Sequence, residues 1–500
     1  MTEKTVVHLL AEATLAMPDQ PALVCGDELL TYRGYAASAA AFARDLAERG
    51  VGRGRRIAVI LPNGIDLVIA ALGAQAAGIQ VASLNPDYTA AELAPILQDA
   101  SPSLVVVGAE VAARLGATLQ AIGLAIEVLG PGARRLATET ADPSDLPLPH
   151  PEDLAVLQYT GGTTGRAKGV NLTHAAIAAN IRQRDSVVPM RWGVERILAI
   201  TPLFHVYAVS MGIHMALASQ GTLVILPRYR PDWTLEALNN HRITVMLGSP
   251  TIYAGLLGYD DLAAADFSHL EVSISGSAAL PEEILARWER QTGSRILEGY
   301  GQTESGPVLS FNPRDGRGKE GSVGLVVPET DVQIVDLATG EVLIAPGSVG
   351  EIRARGPQLM QGYRNLPTET AEALRDGWLY TGDIGEFDAE GYLYIRGRRK
   401  EMVIVGGFNV YPREVEEVLF THPDVADAVV VGVPDSYRGE VLVALVVPAR
   451  EGLTEAALAT HLAERLVKYK WPSRILLRGD LPKTTVGKVD KVKIREELLA

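Results

Sequence analysis

Short apolar runs alternate with stretches that repeat apolar residues at helical spacing through the first two-thirds of the chain. Arg56–Leu61 (Arg-Ile-Ala-Val-Ile-Leu) predicts a strand, and Gly64–Gly78 an alanine-rich helix. Ser103–Val107, Thr222–Leu226, Thr244–Leu247 and Leu270–Ser275 predict further buried strands. This alternation implies parallel sheets covered by helices on both faces. From about 320 to 396 the strands become short and turn-separated, as in Val332–Val335, Gly350–Arg355 and Tyr392–Ile395, which predicts a small β-barrel subdomain. A new mixed pattern begins near 401. Met402–Val405, Ala426–Val433 and Val441–Pro448 read as strands, and Pro412–Leu419 and Glu455–Leu466 as helices. The expected fold is therefore α/β: a large N-terminal domain (1–397) of two parallel-sheet subdomains plus the small barrel, and a small mobile α+β C-terminal domain (401–500). The charged segment 398–400 is the expected hinge.

Composition narrows the function. Five hundred residues exceed what one core accommodates, and 47% hydrophobic with 21% charged residues describes a globular chain. A net charge of −14 argues against nucleic acid, whose phosphates need a basic face. Cys25 is the only cysteine, so neither an intrachain disulfide nor a cysteine metal site is expected. No signal-peptide pattern opens the chain and no uninterrupted apolar span of about 20 residues occurs. A cytoplasmic location is expected. Peripheral membrane contact and homodimer formation stay open.

Candidate chemistry concentrates at residues 159–169, Tyr-Thr-Gly-Gly-Thr-Thr-Gly-Arg-Ala-Lys-Gly. Backbone N–H groups of such a loop can turn toward an anion, with hydroxyls and the Lys168 ammonium beside them. With Leu154–Leu157 read as a strand before it and Leu172–Ile181 as a helix after it, the arrangement suits polyphosphate. The spacing does not match a Walker A loop.

Six further motifs follow. They are Pro202-Leu203-Phe204-His205, Gly299-Tyr300-Gly301-Gln302-Thr303-Glu304, Trp378-Leu379-Tyr380-Thr381-Gly382-Asp383, Gly397-Arg398-Arg399-Lys400-Glu401, and Pro482-Lys483-Thr484-Thr485-Val486-Gly487-Lys488; Gly321-Ser322-Val323-Gly324 lies among them. Together they resemble the acyl-adenylate-forming enzymes over the whole chain. Gln158–Gly169, Glu298–Pro307 followed by Phe311-Asn312-Pro313, and Gly407–Pro412 are most similar to bacterial medium- to long-chain fatty-acid–CoA ligases. The resemblance implies an ATP-dependent acyl-CoA synthetase. A carboxylic acid and ATP would give an acyl-adenylate and pyrophosphate, and CoA would then take the acyl group as AMP leaves.

The same resemblance implies residue roles. Thr160, Gly161, Gly162, Thr163, Thr164, Gly165 and Lys168 would hold the ATP phosphates. Thr303 would contact the α-phosphate, and Glu304 would ligate Mg²⁺, with Thr164 as a second candidate ligand. Asp383 and Arg398 would grip the ribose. Gly299, Tyr300 and Gly301 would line the adenine site opposite Ser277 and Ala278. Lys488 would be delivered between carboxylate and α-phosphate, where a compact ammonium stabilises developing charge. Lys400 would be the hinge, and Gly406 and Gly407 would pass the pantetheine arm of CoA. His205 would stand between acid and thiol, with Phe204, Val206, Gly276 and Gln302 around the acyl group.

Apolar walls near Phe204–Ala208 and Val308 suit an alkyl tail. The segment Ser275-Gly276-Ser277-Ala278-Ala279 is similar to malonate-type synthetases, but Gly299 stands where those enzymes carry an Arg, which implies a monocarboxylate. Benzoate- and hydroxycinnamate-type acids are the alternative, with Asn409 and Ile404 differing from the hydroxycinnamate subgroup. An enzyme loading a carrier protein is a second alternative. A degenerate acyl-nucleotide sensor is a third, opposed by the intact Lys488, Glu304, Asp383 and Arg398.

Overall fold

The computed structural model describes residues 4–121, 123–128, 142–160, 167–435, 437–484 and 488–499. Two large sheets share one hydrophobic core. In the first, parallel strands Leu154–Thr160, Gln80–Ser83, Arg56–Ile60, Leu104–Val107 and Ile126–Val128 lie side by side in that order. In the second, parallel strands Arg295–Gly301, Val272–Ser275, Val245–Gly248, Arg196–Ala199, Thr222–Ile225 and Pro21–Cys25 do the same, with antiparallel strands at both edges. The apolar runs of the central strands, such as Ile57–Ile60, Leu104–Val107, Val245–Leu247 and Thr222–Ile225, are fully buried, as strands covered on both faces require. Helix Ile65–Ala76 packs on Tyr32–Glu48, and Gly73 is the contact: a Cβ there would come 2.7 Å from the Ala39 carbonyl oxygen.

A third, antiparallel sheet runs from Asp331–Val335 through Gly350–Arg355 and Trp378–Phe387 to Leu393–Arg398. Leu393 also exchanges backbone hydrogen bonds with Val323 and Gly324, which ties this sheet to the edge of the second one. The C-terminal part has a separate, smaller core. The hairpin Val425–Asp435/Gly439–Pro448 is flanked by Val403–Val405, Phe408–Val410 and Arg474–Leu477, with helices Pro412–Phe420, Glu455–Ala463 and Lys491–Leu499 against it. The chain is thus mixed α/β with parallel sheets and a smaller C-terminal domain. Among the described residues no helix is long and apolar enough to cross a membrane.

One element was not expected. The helix expected over Leu172–Ile181 is present as His174–Val187, but a strand precedes it: Lys168–Thr173, antiparallel to Leu154–Thr160, with Thr160 opposite Lys168. Gly-Val-Asn-Leu-Thr alternates, burying Val170 and Leu172 while Asn171 faces the Gln80 amide, and that period-2 pattern decides for strand. The helix starts only at His174, where the Thr173 hydroxyl accepts the Ala176 N–H and caps it. Strand Lys168–Thr173 thus pairs directly with Leu154–Thr160, and no helix N-terminus lies at Lys168.

Candidate active site

The motif residues converge beyond the carboxyl ends of the second sheet's strands, where open α/β sheets bind ligands. Phe204 and His205 follow Arg196–Ala199, Gly276–Ala278 follow Val272–Ser275, and Thr303 and Glu304 follow Arg295–Gly301. Ser277 has φ 71°, a left-handed conformation uncommon for a residue with a side chain and typical of constrained functional loops.

Glycine at 301 is dictated by packing, since a Cβ would lie 1.7 Å from the Pro307 carbonyl oxygen; at Gly299 a Cβ would meet the Phe311 ring. Both positions are thus explained by the adjoining strand Val308–Phe311, whatever else they contact. Gly276 likewise accommodates the Tyr207 ring, whose hydroxyl donates to the carbonyls of Gly248 and Ile274.

Glu304 is buried and accepts a 2.8 Å hydrogen bond from the Tyr363 hydroxyl on Oε1. The Lys168 ammonium lies 4.8 Å from the centre of the same Tyr363 ring. Tyr363 was not singled out by any motif, yet it joins Lys168 to the expected metal ligand Glu304. It arrives through the two-residue strand Gly362–Tyr363, which pairs with Val170 and Asn171. Gly161, Gly162, Thr163, Thr164 and Gly165 lie outside the described residues.

Asp383 is buried, and its Oδ1 receives the Arg398 guanidinium at 3.0 Å across the paired strands that bring these residues opposite each other. Its Oδ2 accepts the Tyr300 hydroxyl at 2.8 Å. Burial pushes the Asp383 carboxyl up, opposed by Arg398, and the same pair holds the guanidinium above its usual range.

Lys488 reaches this pair from the far end of the sequence. The bridge Lys483–Val489 and the bonds Thr484 N–H to Lys488 C=O (2.7 Å) and Lys488 N–H to Thr484 Oγ1 (3.2 Å) shape its hairpin. Desolvation, then Arg398, lowers the Lys488 ammonium to about 8, with Asp383 opposing. His205 is lowered to about 3 by burial and, second, by Lys488, so its imidazole is neutral at pH 7. Its Nδ1 accepts the Tyr207 N–H at 3.3 Å, which leaves Nε2 as the protonated nitrogen. Lys488 is thus near enough to act on Arg398, Asp383 and His205 alike.

Residues 10–364 match the family model for "AMP-binding enzyme", and residues 414–488 match that for "AMP-binding enzyme C-terminal domain". The chain belongs to the AMP-binding enzyme family. A long-chain-fatty-acid–CoA ligase of Bacillus subtilis is 37% identical over 99% of this chain and 95% of its own length. ATP-bound MatB from Rhodopseudomonas palustris superposes with TM-score 0.91 at 32% identity, covering 98% of each chain, whereas apo MatB scores 0.81. The anthranilate CoA ligase AuaEII in complex with anthranoyl-AMP superposes with TM-score 0.92 at 25% identity, over 99% of this chain and 98% of that one.

In this AMP-binding enzyme the remaining expected residues lie elsewhere. Gly406 and Gly407, at φ 57° and 88°, form the two-residue turn of the hairpin Val403–Val405/Phe408–Val410. The turn is exposed on the C-terminal domain, and it is not brought to the Lys488 cluster. Lys400 sits in the short 3₁₀ turn Arg399–Glu401, on the surface between the two domains. Gln302 keeps a buried Nε2 with no hydrogen-bond partner among the described residues, as does the Ser275 hydroxyl.

Glu298, one residue before the Gly-Tyr-Gly turn, is buried and accepts the Leu280 N–H at 3.0 Å. Burial raises its carboxyl to about 7 from 4.5, opposed by Arg413 of the C-terminal domain. A raised acid binds its proton more tightly in the folded state, so stability falls as pH rises from about 4.5 through about 7. Glu298→Gln keeps the acceptor without the charge. It is expected to stabilise the protein by about 2 kcal/mol at pH 8 and to be neutral near pH 4, as read by urea unfolding at the two pH values.

Proposed function

We propose that the chain is an ATP-dependent fatty-acid–CoA ligase that forms an acyl-adenylate and then an acyl-CoA. What supports this reading is that the Arg398–Asp383 pair, 3.0 Å apart, and His205 lie within electrostatic reach of the Lys488 ammonium. Two anions, carboxylate and triphosphate, must meet for adenylation, and a cation delivered into a desolvated site offsets their repulsion and the charge that develops. Lys168 and the loop beside it would hold the leaving pyrophosphate, and Asp383 with Arg398 the ribose. Thr303 would position the α-phosphate.

Mg²⁺, when bound, neutralises phosphate charge. Glu304 would hold it, with Tyr363 fixing the carboxylate. No cluster of three or more metal-ligating side chains occurs among the described residues, and a single carboxylate fits an ion that takes its other ligands from phosphate and water. The higher similarity to ATP-bound than to apo MatB supports reading this arrangement as the adenylate-forming one.

Thioesterification would then require the C-terminal domain (401–500) to rotate about Lys400, withdrawing Lys488 and turning the exposed Gly406–Gly407 hairpin toward the acyl group. Leucine at Gly407, where φ is 88°, is expected to impair thioesterification while sparing adenylation, measured as separate half-reactions.

Only the ammonium form of Lys488 can do this work. The adenylation rate is therefore expected to fall as pH rises through about 8, with thioesterification of supplied acyl-adenylate lacking that limb. The substrate reading is tested by pyrophosphate release with acetate, octanoate, palmitate, malonate, benzoate and ferulate, each with and without CoA. A maximum at octanoate or palmitate with CoA-dependent turnover is expected. A maximum at an aromatic acid would discard the fatty-acid substrate, and pyrophosphate release without CoA consumption would point to a carrier-protein acceptor.

A further inference from the structure

We infer that Glu351 couples the ribose grip to the hinge, acting as a positioning residue for adenylation; this rests on the functional reading above. Glu351 lies at an irregularity in the pairing of Gly350–Arg355 with Trp378–Phe387, opposite Ile384, and its side chain is 7% exposed. The two carboxylate oxygens face different parts of the machinery. Oε1 accepts the Gly382 N–H at 3.2 Å, and Oε2 accepts the Arg399 guanidinium at 3.0 Å.

Gly382 directly precedes Asp383. The loop there is further fixed by the Asp383 N–H donating to Thr381 Oγ1 at 3.1 Å and by that hydroxyl donating to the Ile352 carbonyl at 2.8 Å. Arg399 directly precedes Lys400, and Arg398 on its other side is held by Asp383. Two consecutive arginines at the entrance to the hinge are thus anchored on two buried carboxylates, and those carboxylates are joined through one peptide of the ribose loop. Displacing the hinge segment pulls on Gly382, and displacing Asp383 loosens Arg399. A surface ion pair would do little of this, but a buried carboxylate with two charge-assisted or backbone partners resists rearrangement.

The consequence is directional. Glu351 should favour the arrangement in which Lys488 faces the nucleotide and contribute little once the C-terminal domain has turned away. Glu351→Gln, Arg399→Gln and the double variant would be assayed in single turnover for adenylation, with KM for ATP, and for thioesterification of the supplied acyl-adenylate of the best acid in the panel.

Each single variant is expected to lose about tenfold in kcat/KM for ATP in adenylation and less than twofold in thioesterification. The double variant is expected to be no worse than the poorer single. Losses that multiply in the double variant, or that are equal in both half-reactions, would overturn the coupling. Arg399→Gln alters a half-exposed side chain and so tests the link even where the buried substitution harms folding. Lys488→Ala run in parallel separates the two readings: if it leaves adenylation intact, the active-site reading fails. If it behaves as expected while the 351/399 pair is additive, only the coupling fails.

Discussion

Lys488→Ala is expected to slow acyl-adenylate formation by about 10²–10³-fold while leaving thioesterification of supplied acyl-adenylate nearly unchanged. The size follows from what the site does to this lysine. An exposed lysine would keep a full hydration shell and contribute weakly, whereas desolvation and Arg398 bring the Lys488 ammonium down to about 8. The protein therefore holds this cation in an environment that disfavours it, and an incoming pair of anions relieves that cost. Most of the benefit then appears where negative charge is greatest, at the α-phosphorus during the transfer, so kcat should fall more than KM rises. Lys488→Arg keeps the charge on a planar, bulkier group and is expected to recover only part of the rate, with the alkaline limb near pH 8 removed. Quench-flow measurement of the two half-reactions decides the matter. Equal losses in both would remove Lys488 from the adenylation step.

The parallel strands were legible because buried strands announce themselves by unbroken apolar runs: Ser103–Val107 and Leu270–Ser275 were placed to within two residues. Motif order points to Asp383 and Arg398, and the structure pairs them at 3.0 Å across adjoining strands. The strand Lys168–Thr173 is hidden for a definite reason: its alternation of Val170 and Leu172 is too short to stand out beside the helix, which begins at His174, two residues beyond the expected Leu172. Tyr363 and Glu351 were invisible for a different reason. Each works through a partner nearly 50 or more residues away, Glu304 and Arg399, and such pairings are set by sheet register rather than by local sequence. Gly299 and Gly301 show the converse. Their motif points to nucleotide, but the geometry makes glycine necessary for packing against Phe311 and Pro307 alone.

Asp383→Ala is expected to reduce kcat/KM for ATP by about 10²–10³-fold, mainly through KM, because it removes the buried carboxylate that would accept the ribose hydroxyls and that orients Arg398. Arg398, half-exposed, sits at 3.0 Å from Oδ1, and without Asp383 its charge is answered by solvent while it still faces Lys488 as a like charge. Losing the carboxylate should therefore lower the Lys488 ammonium further, since Asp383 is the group that opposes its depression. The alkaline limb of the adenylation profile is then expected to move below pH 8, a readout that simple loss of nucleotide affinity would not produce. Tyr300 supplies the control. Its hydroxyl occupies Oδ2 at 2.8 Å, the oxygen that a ribose hydroxyl would need, so Tyr300→Phe removes a competitor as well as a support. Its effect on KM for ATP should stay within about fivefold, the value of one neutral-to-charged hydrogen bond offset by the freed acceptor. Were Tyr300→Phe as damaging as Asp383→Ala, the carboxylate would be acting through the tyrosine, and the ribose contact would have to be reassigned to the phenol.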